Sequence, residues 1–193
     1  GACASFQAIR AWARGRWAII VGIMVYEAPC LLVASPALLD PNFLHAVVLI
    51  IEHDEEGALG IILNRSLPLA LAQVSEEGGM GYQGSDHATA WRGGPVDPQR
   101  GILLVQGGLP EEEDTVVDFT HFVSHRKDLL ESLLNDPQAR YRLFLGYAGW
   151  SPGQLDQELE AGAWIRRPVV SEWLLHPEPT GLWQVALGSG STG

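Results

Sequence analysis

Apolar residues occur along the chain in short runs that are separated by Gly, Pro and acidic clusters. This pattern is typical of β-strands joined by turns. Strands are predicted at 30–35, 46–53, 58–65, 101–106, 116–123 and 141–147, with a last strand around Val169. The connector 54-DEEG-57 is short, acidic and ends in Gly, so the second and third strands are expected to form a β-hairpin. Both are apolar nearly throughout, which predicts that both faces of the hairpin are covered.

Helices are predicted at 67–74, at about 127–135, after Ser151 and from Ser171. Ser124 is the expected cap of the second helix. The third helix has the clearest local signals, because Ser151 is the expected N-cap, Gln154 completes an S-x-x-Q capping box and Gly162 suits a left-handed end. The segment 75–91 is rich in Gly and polar residues, which predicts a long mobile loop.

Composition limits the classes of function. A chain of 193 residues with 47% apolar and 18% charged residues is expected to fold as one globular domain. The 23 acidic residues outnumber the 12 basic ones, giving a formal net charge of −11, which argues against general nucleic-acid binding. Cys3 and Cys30 make no disulfide framework and no zinc motif, which suits a reducing cytoplasm. A protein or small-molecule partner is therefore favoured.

The first 23 residues have a different pattern from the rest. They carry three arginines and no acid, and they lead into the apolar run 17-WAIIVGIMV-25. The run resembles a weak signal peptide without a clear cleavage site, and it is too short to span a bilayer, which needs roughly 20 apolar residues. We therefore expect an extension over 1–23 with a natural start at Met24, a domain over 24–187 and a flexible tail over 188–193.

Four segments together resemble the YqgE/AlgH family of bacterial proteins: 33-VASPALLDPNF-43, 52-EHDEEGALGIILNR-65, 93-GGPV-96 and 146-GYAGWSPGQLDQEL-159. The resemblance implies a single α+β domain in which a bifurcated mixed β-sheet curls into a barrel-like core flanked by short helices. Members are often described as transcriptional regulators, and the resemblance brings no established enzymatic activity or cofactor. The chain has Val105 where the family often has His, and Ser66 where it typically has Pro.

The glycine-rich turn before the third predicted helix is one candidate ligand site, formed by Gly149, Trp150, Gln154 and Glu158. Free N–H groups at a helix start attract anions. However, no Lys follows the glycines as in a P-loop, and a tight strand-to-helix connection explains them equally well. Gln154 and Glu158 share one helix face and are candidates for a polar cleft, with capping and solvation as the favoured alternative.

A second candidate site combines Glu52 and His53 with Asn64 and Arg65, next to the turn at Gly93 and Gly94. The two polar pairs are expected to lie close together if the DEEG turn sets the hairpin register. Such groups would build a general base or a ligand-orienting network. Hydrogen bonds that tie the hairpin to neighbouring loops explain them as well.

Complete catalytic and metal motifs are missing from the sequence. His121 and His125 are four residues apart, but two histidines do not close a tetrahedral metal site, and no HExxH or GxSxG pattern occurs. We therefore predict no metal and no cofactor, and an enzyme is the less favoured class. The leading hypothesis is a non-enzymatic domain that binds a ligand or a protein, with a regulatory role. The alternatives are a transcriptional regulator acting directly on DNA and a hydrolase or transferase using Glu52 and His53.

Overall fold

Residues 28–188 of the chain are described here from a computed structural model. The expected start at Met24 and all of the expected tail except Gly188 lie outside this range. Gly188 itself is the last residue of a helix. The strands are β1 (Cys30–Ala34), β2 (Val47–Asp54), β3 (Gly57–Ile62), β4 (Ser66–Ala70), β5 (Thr89–Arg92), β6 (Val96–Gln106), β7 (Thr115–Val116), β8 (His121–Ser124), β9 (Arg140–Trp150) and β10 (Trp164–Arg167). The helices are α1 (Leu71–Glu77), α2 (Lys127–Leu134), α3 (Gln154–Glu160), α4 (Ser171–Leu174) and α5 (Pro179–Gly188).

The strands form one mixed sheet in the order β10-β1-β2-β3-β9-β6-β8-β7, with β4 and β5 branching from it. Strand β9 is the branch point, since its residues 148–150 pair with β3 while its residues 144–145 pair with β5. The β5–β9 pair is parallel and the other pairs of the described sheet are antiparallel. The α+β class and the single domain are thus confirmed.

The expectation of a barrel-like core was wrong. Closure would require the two end strands, β10 and β7, to pair with each other. Within residues 28–188 each of them pairs with one strand, β10 with β1 and β7 with β8, so the sheet stays open. The physical reason is that the sheet divides at β9, and helices pack on its faces and cover them without closure of the sheet.

Three apolar clusters cover the faces of the divided sheet. The first receives side chains from both branches, including Leu49 of β2 and Leu104 of β6, together with α4 and α5. The second lies on the other face of β1 and β2 and is covered by Leu155 of α3. The third packs β6, β8 and β9 against Leu71 of α1 and Leu134 of α2. The expectation that both faces of the β2–β3 hairpin are covered is therefore confirmed.

Gly93 and Gly94 fill the fork where the two branches separate. The Ile62 N–H donates to the Gly93 carbonyl at 2.8 Å, and the Gly93 N–H donates to the Leu145 carbonyl at 2.9 Å. A Cβ on Gly93 would lie 2.1 Å from the Gly146 carbonyl oxygen, and one on Gly94 would lie 2.1 Å from the Tyr147 carbonyl carbon. This approach of backbone to backbone leaves room only for glycine.

Two predicted elements differ because strand pairing outweighs local preference. Residues 66–70 form β4 and not a helix, since Ser66 pairs with Trp91 and Ala70 with Thr89, and the helix begins only at Leu71. The same pairing converts the end of the predicted loop over 75–91 into β5, and the loop's first residues belong to α1. β-propensity and helix propensity are weak compared with such tertiary contacts.

The second half of the chain shows three further differences. The predicted strand 116–123 is interrupted, because the Val117 and Asp118 N–H groups both donate to the His121 carbonyl and form a turn between β7 and β8. The strand expected around Val169 lies at β10, where it pairs with β1. Ser124 belongs to β8, so Arg126 is the N-cap of α2. By contrast, α4 begins at Ser171 as predicted.

Candidate functional site

The two polar pairs of the hairpin lie at opposite ends of it, so the predicted convergence was wrong. His53 pairs with Ala58 beside the DEEG turn, whereas Ile62 pairs with Val48 toward the other end. Asn64 follows Ile62 and therefore lies beyond the far end of the pairing. In an antiparallel hairpin the last residues of the first strand meet the first residues of the second. The turn does set the register, and that register separates Glu52 and His53 from Asn64 and Arg65.

Glu52 and His53 differ in their burial. Glu52 is exposed, while His53 is buried and places Nε2 at 3.5 Å from Oδ1 of Asp156 in α3. Burial lowers the pKa of His53, and the Asp156 carboxylate opposes this shift only in part. The two neighbours therefore do not present a joint acid–base pair to one surface, and His53 connects β2 to α3.

The start of α3 is tied to β9 and β10 by the carboxylate of Glu158. Its Oε2 accepts the indole N–H groups of Trp150 at 2.9 Å and Trp164 at 2.8 Å. Its Oε1 accepts the Gln154 amide at 2.9 Å, and Gln154 Oε1 accepts the Ser151 N–H at 3.0 Å. That last bond is the reciprocal half of the predicted capping box, but the N-cap residue is Gly153, at φ 73°, and Ser151 lies before it.

Aromatic packing completes this junction. The Trp150 and Trp164 rings meet edge to face with centroids 6.0 Å apart, and Phe43 stacks on Trp150 at 6.0 Å. Gly149 pairs with Leu59 of β3, where a Cβ would make only an ordinary contact 3.6 Å from the Tyr147 ring. The polar groups of this predicted ligand site are thus engaged with one another in a junction between β9, α3 and β10.

Asn64 and Arg65 hold the loop that connects β1 to β2. Asn64 Oδ1 accepts the Val47 N–H at 2.9 Å, and its Nδ2 donates to the His45 carbonyl at 2.8 Å. Arg65 Nη2 donates to the Leu44 carbonyl at 2.9 Å, while Nη1 donates to the carbonyls of the two residues at 41 and 42. Three backbone carbonyls of one loop therefore accept hydrogen bonds from the guanidinium.

A cavity of about 270 Å³ opens beside this pair, between the loop and the first turns of α5. Its lining comprises Leu44, His45, Asn64, Arg65, Pro179, Thr180, Trp183 and Gln184. The imidazole of His45 stacks on the Trp183 indole at 4.0 Å between centroids, and Trp183 Nε1 donates to the Ala34 carbonyl at 2.8 Å. The cavity thus has an aromatic wall that is fixed to β1.

Arg65 brings a positive charge to the cavity, and the charge of Asp40, beyond ion-pair distance, offsets it only in part. No carboxylate among residues 28–188 lies within 4.0 Å of its guanidinium. Its three hydrogen bonds to carbonyls leave two of the five N–H donors of an arginine, one on Nη2 and one on Nε. Burial, and secondarily the charge of Arg92, lowers the pKa of Arg65. Arginine nevertheless stays charged in proteins.

The two histidines of the predicted pair differ in burial. His121 is buried and its Nδ1 lies 2.9 Å from Oδ1 of Asp118, whereas His125 is exposed. Within residues 28–188 no group of three or more His, Cys, Asp or Glu side chains could hold a metal ion. In the same range no helix is both long and apolar enough to cross a membrane.

The cavity-lining residues that sequence reasoning missed are concentrated in α5. Thr180, Trp183 and Gln184 lie on a helix that was not predicted, and His45 lies in a loop at φ 56°. The run 179-PTGLWQVALG-188 does begin with Pro and contains a largely apolar segment, which is a signal for a helix start.

Comparison with known proteins identifies relatives over most of the chain. The model of the AlgH-like family matches residues 31–191. A UPF0301 protein of Myxococcus xanthus is 41% identical over 161 residues, which cover 83% of this chain and 88% of that relative. A UPF0301 protein of Streptomyces coelicolor is 39% identical over 162 residues, which cover 81% of this chain and 83% of that relative.

Solved structures show the same fold. The solution structure of the AlgH protein from Pseudomonas aeruginosa superposes with a TM-score of 0.69 at 30% identity, covering 88% of this chain and 94% of that one. A crystal structure of a Corynebacterium diphtheriae protein gives a TM-score of 0.65 at 24% identity, covering 85% of this chain and 88% of that one. The second likeness is one of fold alone.

Proposed function

The chain belongs to the AlgH-like family, and we propose that it is a non-enzymatic binding domain that holds a small anionic ligand in the cavity beside Arg65. The observation that carries this proposal is the half-buried guanidinium, which has no carboxylate partner among residues 28–188 and keeps two N–H donors unused. The regulatory role expected from the resemblance would then act through ligand occupancy.

The chemistry of the cavity favours a carboxylate or a phosphate. The Nε–H and the Nη2–H of an arginine lie side by side and match two oxygens of such a group. Thr180 and Gln184 add polar side chains on α5. The cavity also adjoins the first turn of this helix, whose dipole modestly favours negative charge. Its volume of about 270 Å³ lies just below the roughly 300–1,000 Å³ typical of ligand pockets, which restricts the occupant to a small molecule.

A binding role is favoured over catalysis by the identity of the lining residues. The lining contains no carboxylate and no thiol, and His45 is its one imidazole. The imidazole is stacked on Trp183, and within residues 28–188 no hydrogen bond joins it to the Thr180 hydroxyl, so the lining holds no nucleophile–base pair. The hydrolase or transferase hypothesis and the direct DNA hypothesis stay predictions.

Nuclear magnetic resonance of the full chain tests the proposal. Phosphate, acetate and citrate would be titrated separately at constant ionic strength, and the indole N–H of Trp183 and the Nε–H of Arg65 would be followed. We expect at least one of these anions to shift both signals in a saturable way. A bound anion at ten times its Kd would also stabilise the fold by about 1.4 kcal/mol.

Three variants make the result specific. Arg65→Met should abolish the saturable shift at Trp183. Gln184→Ala, which leaves the loop contacts of Arg65 in place, should weaken binding. Arg140→Met is the matched control, because Arg140 is exposed and makes no side-chain hydrogen bond or ion pair within residues 28–188. Equal anion effects in Arg65→Met and Arg140→Met, or no shift at Trp183 with any of the three anions, would contradict the proposal.

A further inference from the structure

Two neighbouring loops at one end of β6 and β8 expose large apolar side chains. Leu109 is 89% exposed and Phe119 is 99% exposed. The loops are adjacent, because the Gly107 N–H donates to the Thr120 carbonyl at 2.7 Å and Gln106 pairs with His121. Isolated exposed apolar residues are common on proteins, but two nearly fully exposed ones on adjoining loops form a candidate contact surface.

The turn that carries Phe119 is held in place by Asp118. Its Oδ1 accepts the N–H groups of Thr120 and His121, each at 2.8 Å, and its Oδ2 accepts the Ser171 hydroxyl. The aromatic ring is therefore presented from an ordered turn. An apolar side chain on an ordered turn requires less loss of backbone entropy on binding than one on a mobile loop.

Acidic side chains surround Leu109 on the same loop. Glu111, Glu112 and Glu113 follow it after Pro110, and the side chains of the first and third are 61% and 67% exposed. The loop is anchored by Asp114, whose fully buried carboxylate receives Nη2 of Arg126 at 3.1 Å and Nε at 3.3 Å. Arg126 also pairs with Glu111 at 2.8 Å and lies 3.9 Å from Glu113, so one arginine meets three of these four consecutive carboxylates and the local charge stays negative.

We propose that these residues, Leu109, Glu111–Glu113 and Phe119, form an acidic–apolar surface that binds a protein partner through a segment carrying Lys or Arg beside an apolar side chain. Charge complementarity selects this occupant. The apolar side chain of the partner would cover Leu109 and Phe119, and its cations would pair with the three glutamates. This proposal concerns a region separate in its residues from the Arg65 cavity and goes beyond the ligand binding proposed above.

Charge also disfavours the other occupants of this surface. A second copy of the chain joined through the same surface would bring its glutamates against those of the first, and like charges opposed across an interface cost affinity. A membrane with anionic lipids would repel the same three side chains. A basic and apolar protein segment meets neither obstacle.

The test uses the full chain and a displayed library of short random peptides as the probe. Peptides enriched on the wild type should combine Lys or Arg with apolar residues. Their affinity should fall about tenfold or more with the double variant Leu109→Ser/Phe119→Ser, as for exposed anchors at other interfaces. Leu39→Ser is the matched control, since Leu39 is 75% exposed on another loop, and it should leave the affinity unchanged.

The charge requirement is tested separately. Glu112→Gln/Glu113→Gln should weaken the enriched peptides and reduce the salt dependence of their binding, because fewer charges are paired. Peptides that lack cations, that bind the double serine variant as tightly as the wild type, or that fail to be enriched at all would overturn the proposal. A dimer of the wild type that the double serine variant loses, or binding to vesicles of anionic lipid that it loses, would also overturn it.

Discussion

Trp150 and Trp164 donate their indole N–H groups to the same oxygen of Glu158, at 2.9 and 2.8 Å. Both indoles are buried, at 6% and 3% exposure, although one ends β9 and the other begins β10. Buried indole N–H groups require an acceptor. The carboxylate on α3 supplies it for both and thereby sets how the helix lies on the sheet.

Removal of this carboxylate is expected to destabilise the fold. Glu158→Ala leaves both indole N–H groups without their acceptor and should lower the free energy of unfolding by about 2–3 kcal/mol. Glu158→Gln keeps one oxygen and should cost about 1 kcal/mol, because the hydrogen bonds lose the assistance of the charge. Urea denaturation followed by tryptophan fluorescence measures both values. Glu160→Ala, at an exposed position of the same helix, should stay within about 0.5 kcal/mol of the wild type. A loss from Glu158→Ala no larger than this control would show that the junction does not depend on the carboxylate.

The glycines near β9 are expected to divide into a structural and a permissive class. Gly94→Ala would place its Cβ 2.1 Å from the Tyr147 carbonyl carbon, so the strands must separate and we expect a loss of about 3 kcal/mol or more. Gly149→Ala meets only an ordinary contact at 3.6 Å and should change the stability by less than about 1 kcal/mol. Thermal unfolding by circular dichroism compares the two variants. Equal effects would contradict the close approach at the fork.

Protonation of the Asp118 carboxylate in acid should lower the free energy of unfolding. Burial alone would raise its pKa, but the hydrogen bonds from Ser171, Thr120 and His121 outweigh burial and lower the pKa to about 2. Because the folded pKa lies below the unfolded value, the stabilisation is present above about pH 4 and is lost as the pH falls through about 2.

The variant Asp118→Asn isolates this contribution. It should be less stable than the wild type by about 1–2 kcal/mol at pH 6, and the difference should shrink toward pH 2. Urea denaturation at a series of pH values gives the two curves, with the exposed Asp86→Asn as the control for a general change in charge. A difference that is constant from pH 6 to pH 2 would contradict the assignment.

The buried pair of Asp114 and Arg126 should stabilise the acidic loop strongly. Asp114→Ala removes a carboxylate whose side chain is fully buried. It leaves Arg126 with ion-pair partners whose side chains are mostly exposed. Removal of one member of a buried pair costs about 3 kcal/mol. Glu112→Ala, in the same loop and without a side-chain hydrogen bond or ion pair among residues 28–188, should change stability by less than about 0.5 kcal/mol. Hydrogen exchange of the loop amides together with denaturation distinguishes the two, and unchanged protection in Asp114→Ala would show that the pair is not the anchor.

Local signals account for the parts of the fold that sequence reasoning predicted. The β2–β3 hairpin follows from two apolar runs joined by DEEG, and the end of α3 follows from Gly162, which adopts φ 73°. These elements depend on residues that are neighbours in the chain, so their physical causes are visible in a short window. The resemblance added the α+β class, although its barrel-like core was not found in the described sheet.

The candidate site depended on contacts between distant parts of the chain. Trp183 reaches the Ala34 carbonyl across 149 positions, and Arg65 reaches the loop at Leu44 from 21 positions away. No local window contains both partners of such contacts, and so the cavity between them could not be predicted.

The sequence by itself determined the positions of most strands along the chain, the hairpin and the presence of a helix after Ser151, because backbone conformation there is governed by nearby residues. Only the tertiary structure decided that β9 divides the sheet and that Glu158 accepts hydrogen bonds from two indoles. It also decided that Arg65 borders a cavity whose lining contains no carboxylate. The physical reason is that pairing across the sheet and satisfaction of buried polar groups are settled among residues far apart in the chain.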